Sequence, residues 1–171
     1  MSQIKVNSIV PAGGLPAGAN GGIIQVVQTV KSDTFTHTGN TSVTDVTGLN
    51  VTITPSSSSS KVLLLCFMNI SNNNISRVQF VRGTTAIGIP SAAGSRPVGT
   101  ASMNNGGDSN VCDPLTMIFL DSPATTSATT YKVQWSIEGS GGSSTTGYLN
   151  RRGCDQSYGL VSSITLYEVT A

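Results

Sequence analysis

The chain has 171 residues and a mass of 17.6 kDa, enough for one packed domain or one domain plus a tail, and too little for a two-domain enzyme. Only 10% of its residues are charged, against about 25% in ordinary globular proteins. The formal net charge of +1 leaves no basic surface able to neutralise several phosphates, so nucleic acid is not an expected partner.

Residues 1–22 stand apart. The β-prone piece Ile4-Lys5-Val6-Asn7-Ser8-Ile9-Val10 runs into Pro11-Ala12-Gly13-Gly14-Leu15-Pro16 and a further Gly-rich stretch. Proline removes backbone donors and glycine adds backbone entropy, so neither a helix nor a central strand is expected there. The segment reads as a flexible or extended arm that carries the apolar side chains Ile4, Val6, Ile9, Val10 and Leu15. No apolar core follows a basic start at the N-terminus, so no secretory leader is expected and the chain is read as made and kept in a cytoplasm.

From residue 23 to 171 the composition is rich in Thr, Ser, Val, Ile, Gly and Asn, and poor in the residues that build solvated helices. Short strand-like runs fall at Ile23–Val30, Asp33–His37, Val43–Val46, Asn50–Thr54, Lys61–Ile70, Arg77–Arg82, Thr85–Ile89, Leu115–Leu120, Tyr131–Glu138 and Val161–Val169. Turn residues separate them and no 3.6-residue period appears, so the expected fold is all-β, a sandwich or barrel of short strands that follows the arm.

Faces can be assigned in three of these runs. Tyr131, Val133, Trp135 and Ile137 alternate with Lys132, Gln134, Ser136 and Glu138, which places Trp135 in the core. Val62 to Met68 is apolar at every position, which predicts a central strand buried on both faces. The same is expected of Val161–Val169, where neither alternating set is fully polar. Two-sided burial in so small a sandwich calls for a second subunit, and a near-neutral surface rich in hydroxyls is cheap to bury against copies of itself. The run Val62–Met68 is far shorter than the roughly 20 residues of a membrane helix, so no membrane insertion is expected.

Two long segments, Gly94–Asp113 and Gly139–Tyr158, read as loops, and loops of that length usually carry contacts. Asn104, Asn105, Tyr148, Asn150, Arg151, Arg152 and Tyr158 are their candidate contact residues, because tyrosine offers rigid stacking area and asparagine and arginine offer hydrogen bonds. Arg151 and Arg152 could instead pair with carboxylates of a neighbouring subunit. Asn72-Asn73-Asn74 has the composition of an ordinary turn.

Catalytic constellations are weak. His37 is the single histidine and no GxSxG motif accompanies it, so a Ser/His/Asp triad is not expected. Asp33, Asp45 and Asp121 sit where turn-forming aspartates belong, which thins any carboxylate pair for glycoside hydrolysis. Gly139-Ser140-Gly141-Gly142 lacks the Lys-Ser/Thr ending of a phosphate loop. Asp108, Asp113 and Asp155 could hold a cation if the long loops met, but no spacing demands it, and neither metal nor cofactor is expected. Cys66, Cys112 and Cys154 read as free thiols, with a Cys112–Cys154 pair as the alternative.

Three stretches, MSQIKVNSIVP at the start, Gly22 to Phe35, and Val46-Thr47-Gly48-Leu49-Asn50-Val51-Thr52-Ile53-Thr54-Pro55 followed by Ser59-Ser60-Lys61-Val62-Leu63, resemble small virion proteins of tailed phages, marine and cyanobacterial phages in particular. Phe119-Leu120-Asp121-Ser122-Pro123, Thr130-Tyr131-Lys132-Val133-Gln134 and Ser163-Ile164-Thr165-Leu166-Tyr167-Glu168-Val169 continue the likeness in order along nearly the whole chain. The matching motifs are strands with their turns. The resemblance implies assembly and attachment: a non-enzymatic virion protein assembled in the host cytoplasm, an antiparallel β-sandwich, jelly-roll-like, in a homotrimeric tail fibre or fibre head docked to other virion proteins by its arm, with Ile4, Val6, Ile9, Val10 and Leu15 as the docking side chains. Gly94–Asp113 and Gly139–Tyr158 depart most from the family, so the host glycan or protein they are expected to touch is read from their own side chains and is not inherited from it. A capsid-decoration protein is the alternative the resemblance implies. A tail enzyme acting on polysaccharide is a weaker third, since no β-helix repeat is visible.

Overall fold

A computed structural model describes residues 22–39, 42–91, 94–104, 106, 108–138 and 145–170. The proposed docking residues Ile4, Val6, Ile9, Val10 and Leu15 lie outside the described residues, as does Asn105.

Eleven strands follow one another among the described residues: β1 (Ile23–Lys31), β2 (Phe35–Gly39), β3 (Thr44–Ile53), β4 (Lys61–Asn72), β5 (Ile75–Arg82), β6 (Thr85–Ile87), β7 (Ala101–Asn104), β8 (Asp113–Asp121), β9 (Thr129–Glu138), β10 (Thr145–Leu149) and β11 (Ser162–Val169). Every pairing is antiparallel. One sheet runs β1-β11-β4-β8, and β10 and β2 extend it along the far end of β4; the other runs β3-β9-β5 and ends on β6 and β7, which share the last edge of β5. With β6 and β7 counted as one interrupted strand and the β2/β10 pair set aside, each sheet holds four strands, and the chain crosses between sheets at nearly every connection. That is the wiring of a jelly roll.

The core lies between the two sheets. Tyr131, Val133, Trp135 and Ile137 are fully buried on β9, as the alternation of that strand predicts, and they meet Val62, Leu64, Cys66, Met68 and Ile70 from β4. Trp135 donates its indole N–H to Ser76 Oγ at 2.8 Å, and Phe35 and His37 of β2 pack on its ring. Burial raises the Cys66 thiol pKa far above its ordinary value.

Several boundaries differ from the sequence reading. Val43–Val46 and Asn50–Thr54 belong to the single strand β3, which bulges between Asp45 and Asn50. Gly48, at φ +81, turns the chain there so that Val46 and Leu49 both point inward. The run Thr85–Ile89 stops at Ile87, because Gly88 turns away at φ +63 under the Phe119 ring. β7 and β10 lie inside segments that read as loops.

β4 is buried on only one face. Its inward side chains are fully buried, while Leu63 and Leu65 are half-buried and Phe67 is exposed. On β11 the inward set is Ser162, Ile164, Leu166 and Glu168, and Tyr167 and Val169 face out. The strand registers align these outward positions in rows across the four-stranded sheet. Val26, Tyr167, Leu63 and Leu120 form one row. Gln28, Thr165, Leu65 and Ile118 form the next, and Val30, Ser163, Phe67 and Thr116 a third.

Candidate functional site

β4 is the longest strand among the described residues. Its twelve residues span about 36 Å at roughly 3.3 Å per residue, from Lys61, opposite Val169, to Asn72, opposite Gly147. The start of β1 lies at the Lys61 end, where the Gly22 N–H donates to Thr170 Oγ1 at 2.8 Å. Tyr148, the 150–160 loop and Ser109 gather at the Asn72 end.

Asn150 builds the neck of that loop. At φ +63 it reverses the chain after β10, and asparagine is among the few side chains that tolerate this. Its Nδ2 donates to the carbonyls of Lys31 at 2.8 Å and Asp33 at 3.0 Å, and its Oδ1 accepts from Ser162 Oγ at 2.6 Å. Its backbone N–H donates to Asn69 O, and its carbonyl accepts from Leu160 N–H, closing the loop. Within the loop, Asp155 Oδ1 accepts from the backbone and hydroxyl of Ser157, bonds that hold its carboxyl below the usual range.

The two long segments do meet. Ser109 O accepts from Gly153 N–H at 2.9 Å and from Ser71 Oγ at 2.7 Å. A Cβ at Gly153 would lie 2.7 Å from the Tyr148 ring and 2.9 Å from the Ser109 side chain, so only glycine fits without displacement. Ser71 and Gly153 were not legible as site residues, because nothing near them in sequence signals that loops 38 residues or more away close over them.

Two guanidinium–aromatic pairs are mounted on this frame. The Arg151 guanidinium lies 4.1 Å from the Tyr148 ring centre and donates to Arg152 O and Thr36 Oγ1. The Arg152 guanidinium lies 5.4 Å from the centre of the Tyr158 ring, with Asp155 at 3.5 Å. Arg152 therefore pairs with a carboxylate of its own loop. Tyr158, at φ +69, is strongly exposed. Stacking fixes the planar cations, and aromatic rings beside guanidinium donors suit sugars and carboxylate-bearing surfaces.

The other candidates separate clearly. Asn150 is fully buried with its amide fully engaged, which corrects its reading as a contact residue. Asn104 is exposed at the end of β7 and caps its own turn by accepting from Gly106 N–H. Asn72 is buried and bonds Ser76, and its Oδ1 accepts from Asn74 N–H, so that segment is a turn. Asp121 is more than a turn residue: it is buried and accepts from Arg82 and from the Tyr131 hydroxyl at 2.7 Å, and burial, with Asp121 beside it, raises the Tyr131 pKa. His37 is buried against Trp135 with Nε2 unpartnered, and burial lowers its pKa. All three cysteines are free thiols. No three His, Cys, Asp or Glu side chains among the described residues come together as a metal-binding group.

No sequence-family model matches the chain, and no curated protein matches it in sequence. Solved structures that match in shape include a subviral particle of VP2 from infectious bursal disease virus, at 10% identity and a TM-score of 0.40. The Gx strain of the same virus matches at 12% identity and a TM-score of 0.34. In both cases 85% of this chain is covered, and the chain spans 41% of the matched chain. Likeness at this level carries no argument about role, and the fold assignment rests on strand order.

Proposed function

We propose that this chain is a structural protein of a phage particle: an oligomeric fibre or fibre-head component, trimeric and non-enzymatic, that docks through residues 1–22 and turns the Tyr148–Tyr158 end toward the host surface. The observation that carries the reading is polarity. Gly22 and the start of β1 lie beside Thr170 at one end of β4, and the stacked Tyr148–Arg151 and Tyr158–Arg152 pairs stand at the other. A protein held by its arm would present these pairs outermost. The sequence likeness to small phage virion proteins supports the same role, and the contact chemistry favours an acidic glycan or a carboxylate-rich protein surface.

Adsorption measured with particles that lack the protein tests the reading. Attachment to host cells should fall while resistance to heat is unchanged. Normal adsorption with reduced heat or osmotic resistance would instead make the protein a capsid decoration, and release of new reducing ends from host envelope polysaccharide by the purified protein would make it an enzyme. In the attachment case, Tyr158→Ala should weaken cell binding several-fold with little change in Tm, because its side chain is exposed on the loop, and Arg151→Ala should weaken it as much with some loss of Tm, because its stacking on Tyr148 and its bonds to Arg152 O and Thr36 Oγ1 go too.

A further inference from the structure

We infer that the outer face of the β1-β11-β4-β8 sheet is the surface through which copies of this chain associate. The inference deepens the oligomeric part of the reading above and does not depend on the virion role. Ile118 is 64% exposed, Leu120 53%, Val26 55%, Val30 54% and Phe67 37%. They belong to the three rows that cross all four strands, and none of the twelve positions in those rows is charged.

Four strands about 4.8 Å apart and some seven residues long outline about 400 Å² in projection. The largest apolar patch on a typical monomer is of that order and is often functional, and here Gln28, Thr165, Ser163 and Thr116 interrupt the apolar side chains. A standard interface takes about 800 Å² of accessible surface from each partner, with an apolar centre and a polar rim. This face supplies such a centre, and the polar strand ends around it supply the rim.

The charge pattern selects the occupant. A charged partner surface would lose hydration here and find no opposite charge in return. An uncharged β face matches it, and this chain, 10% charged with a net charge of +1, carries one. A neighbouring copy seated on it gives β4 and β11 the second covered side that their sequences call for.

Sedimentation velocity on the full-length chain tests this, with Val26→Glu/Ile118→Glu as the variant. Both side chains point to solvent in the single chain, so the variant should keep its fold and cooperative unfolding. The wild type should sediment as an oligomer, and the variant should shift to the 17.6 kDa species through an association weakened about 100-fold, because each contact would bury an unpaired carboxylate. If the double glutamate variant fails to fold, Val26→Thr/Ile118→Thr keeps strand-forming residues and should move the equilibrium the same way by less. A wild type that sediments as a monomer overturns the inference, as does a folded variant that stays fully oligomeric. Dissociation by Ile4→Asp/Val6→Asp in the full chain, with no effect of the face variant, would assign the contact to the arm instead. Failure of the virion role would appear in adsorption and incorporation, and would leave the sedimentation result standing.

Discussion

At the scale of single residues, buried polar side chains hold this fold in register, and two of them give sharp expectations. His37 is neutral in the folded state because burial lowers its pKa. The unfolded chain therefore takes up a proton first as pH falls, and stability present above about 6.5, the ordinary histidine value, is lost below it, until the pH reaches the folded-state pKa. Thermal melts at pH 7.5 and 5.5 should show a lower Tm at the acid value, and His37→Phe should flatten the difference. Glu168 does not interfere in that window: although burial opposes it, bonds from Ser56 and neighbouring serines hold its carboxyl below the usual range. Its contribution is lost only at lower pH, as the pH falls through that depressed value. Asn150→Ala should cost about 3 kcal/mol in chemical denaturation, since it strands the Lys31 and Asp33 carbonyls and the Ser162 hydroxyl.

At the scale of elements, the strands with a long alternating or continuous apolar pattern were legible. β9 announces its buried face through Tyr131, Val133, Trp135 and Ile137, and β1, β4 and β11 fall close to their expected bounds. β10 was hidden by Gly147, which looks like a loop residue but is required where it stands, because a Cβ there would lie 2.4 to 2.6 Å from Ile137 and Trp135. Gly147→Ala should accordingly destabilise the protein by about 1–3 kcal/mol through overpacking, readable as a lower urea midpoint. β7 was hidden by its length: its four residues carry no period, and they become a strand only because the lower half of β5 is left open by β6. The loop cluster was half legible. Its tyrosines and arginines stood out by type, whereas the burial of Asn150 depends on Lys31, Asp33, Asn69 and Ser162, which no local pattern brings together.

At the scale of the whole molecule, the jelly-roll wiring separates the start of β1 from the loops that close over Ser71, and it leaves one sheet with three outward rows that carry no charge. The proposed role uses all three features: an anchor, a self-contact and an outward end. The measurement that tests it most directly is the amount of this protein in purified particles, compared between full-length chain and chain lacking residues 1–20. The account predicts that the full-length protein co-purifies with particles and that the shortened protein, still folded and oligomeric in solution, stays behind. Particles that contain neither form, or that load the shortened chain to the same level, would contradict it.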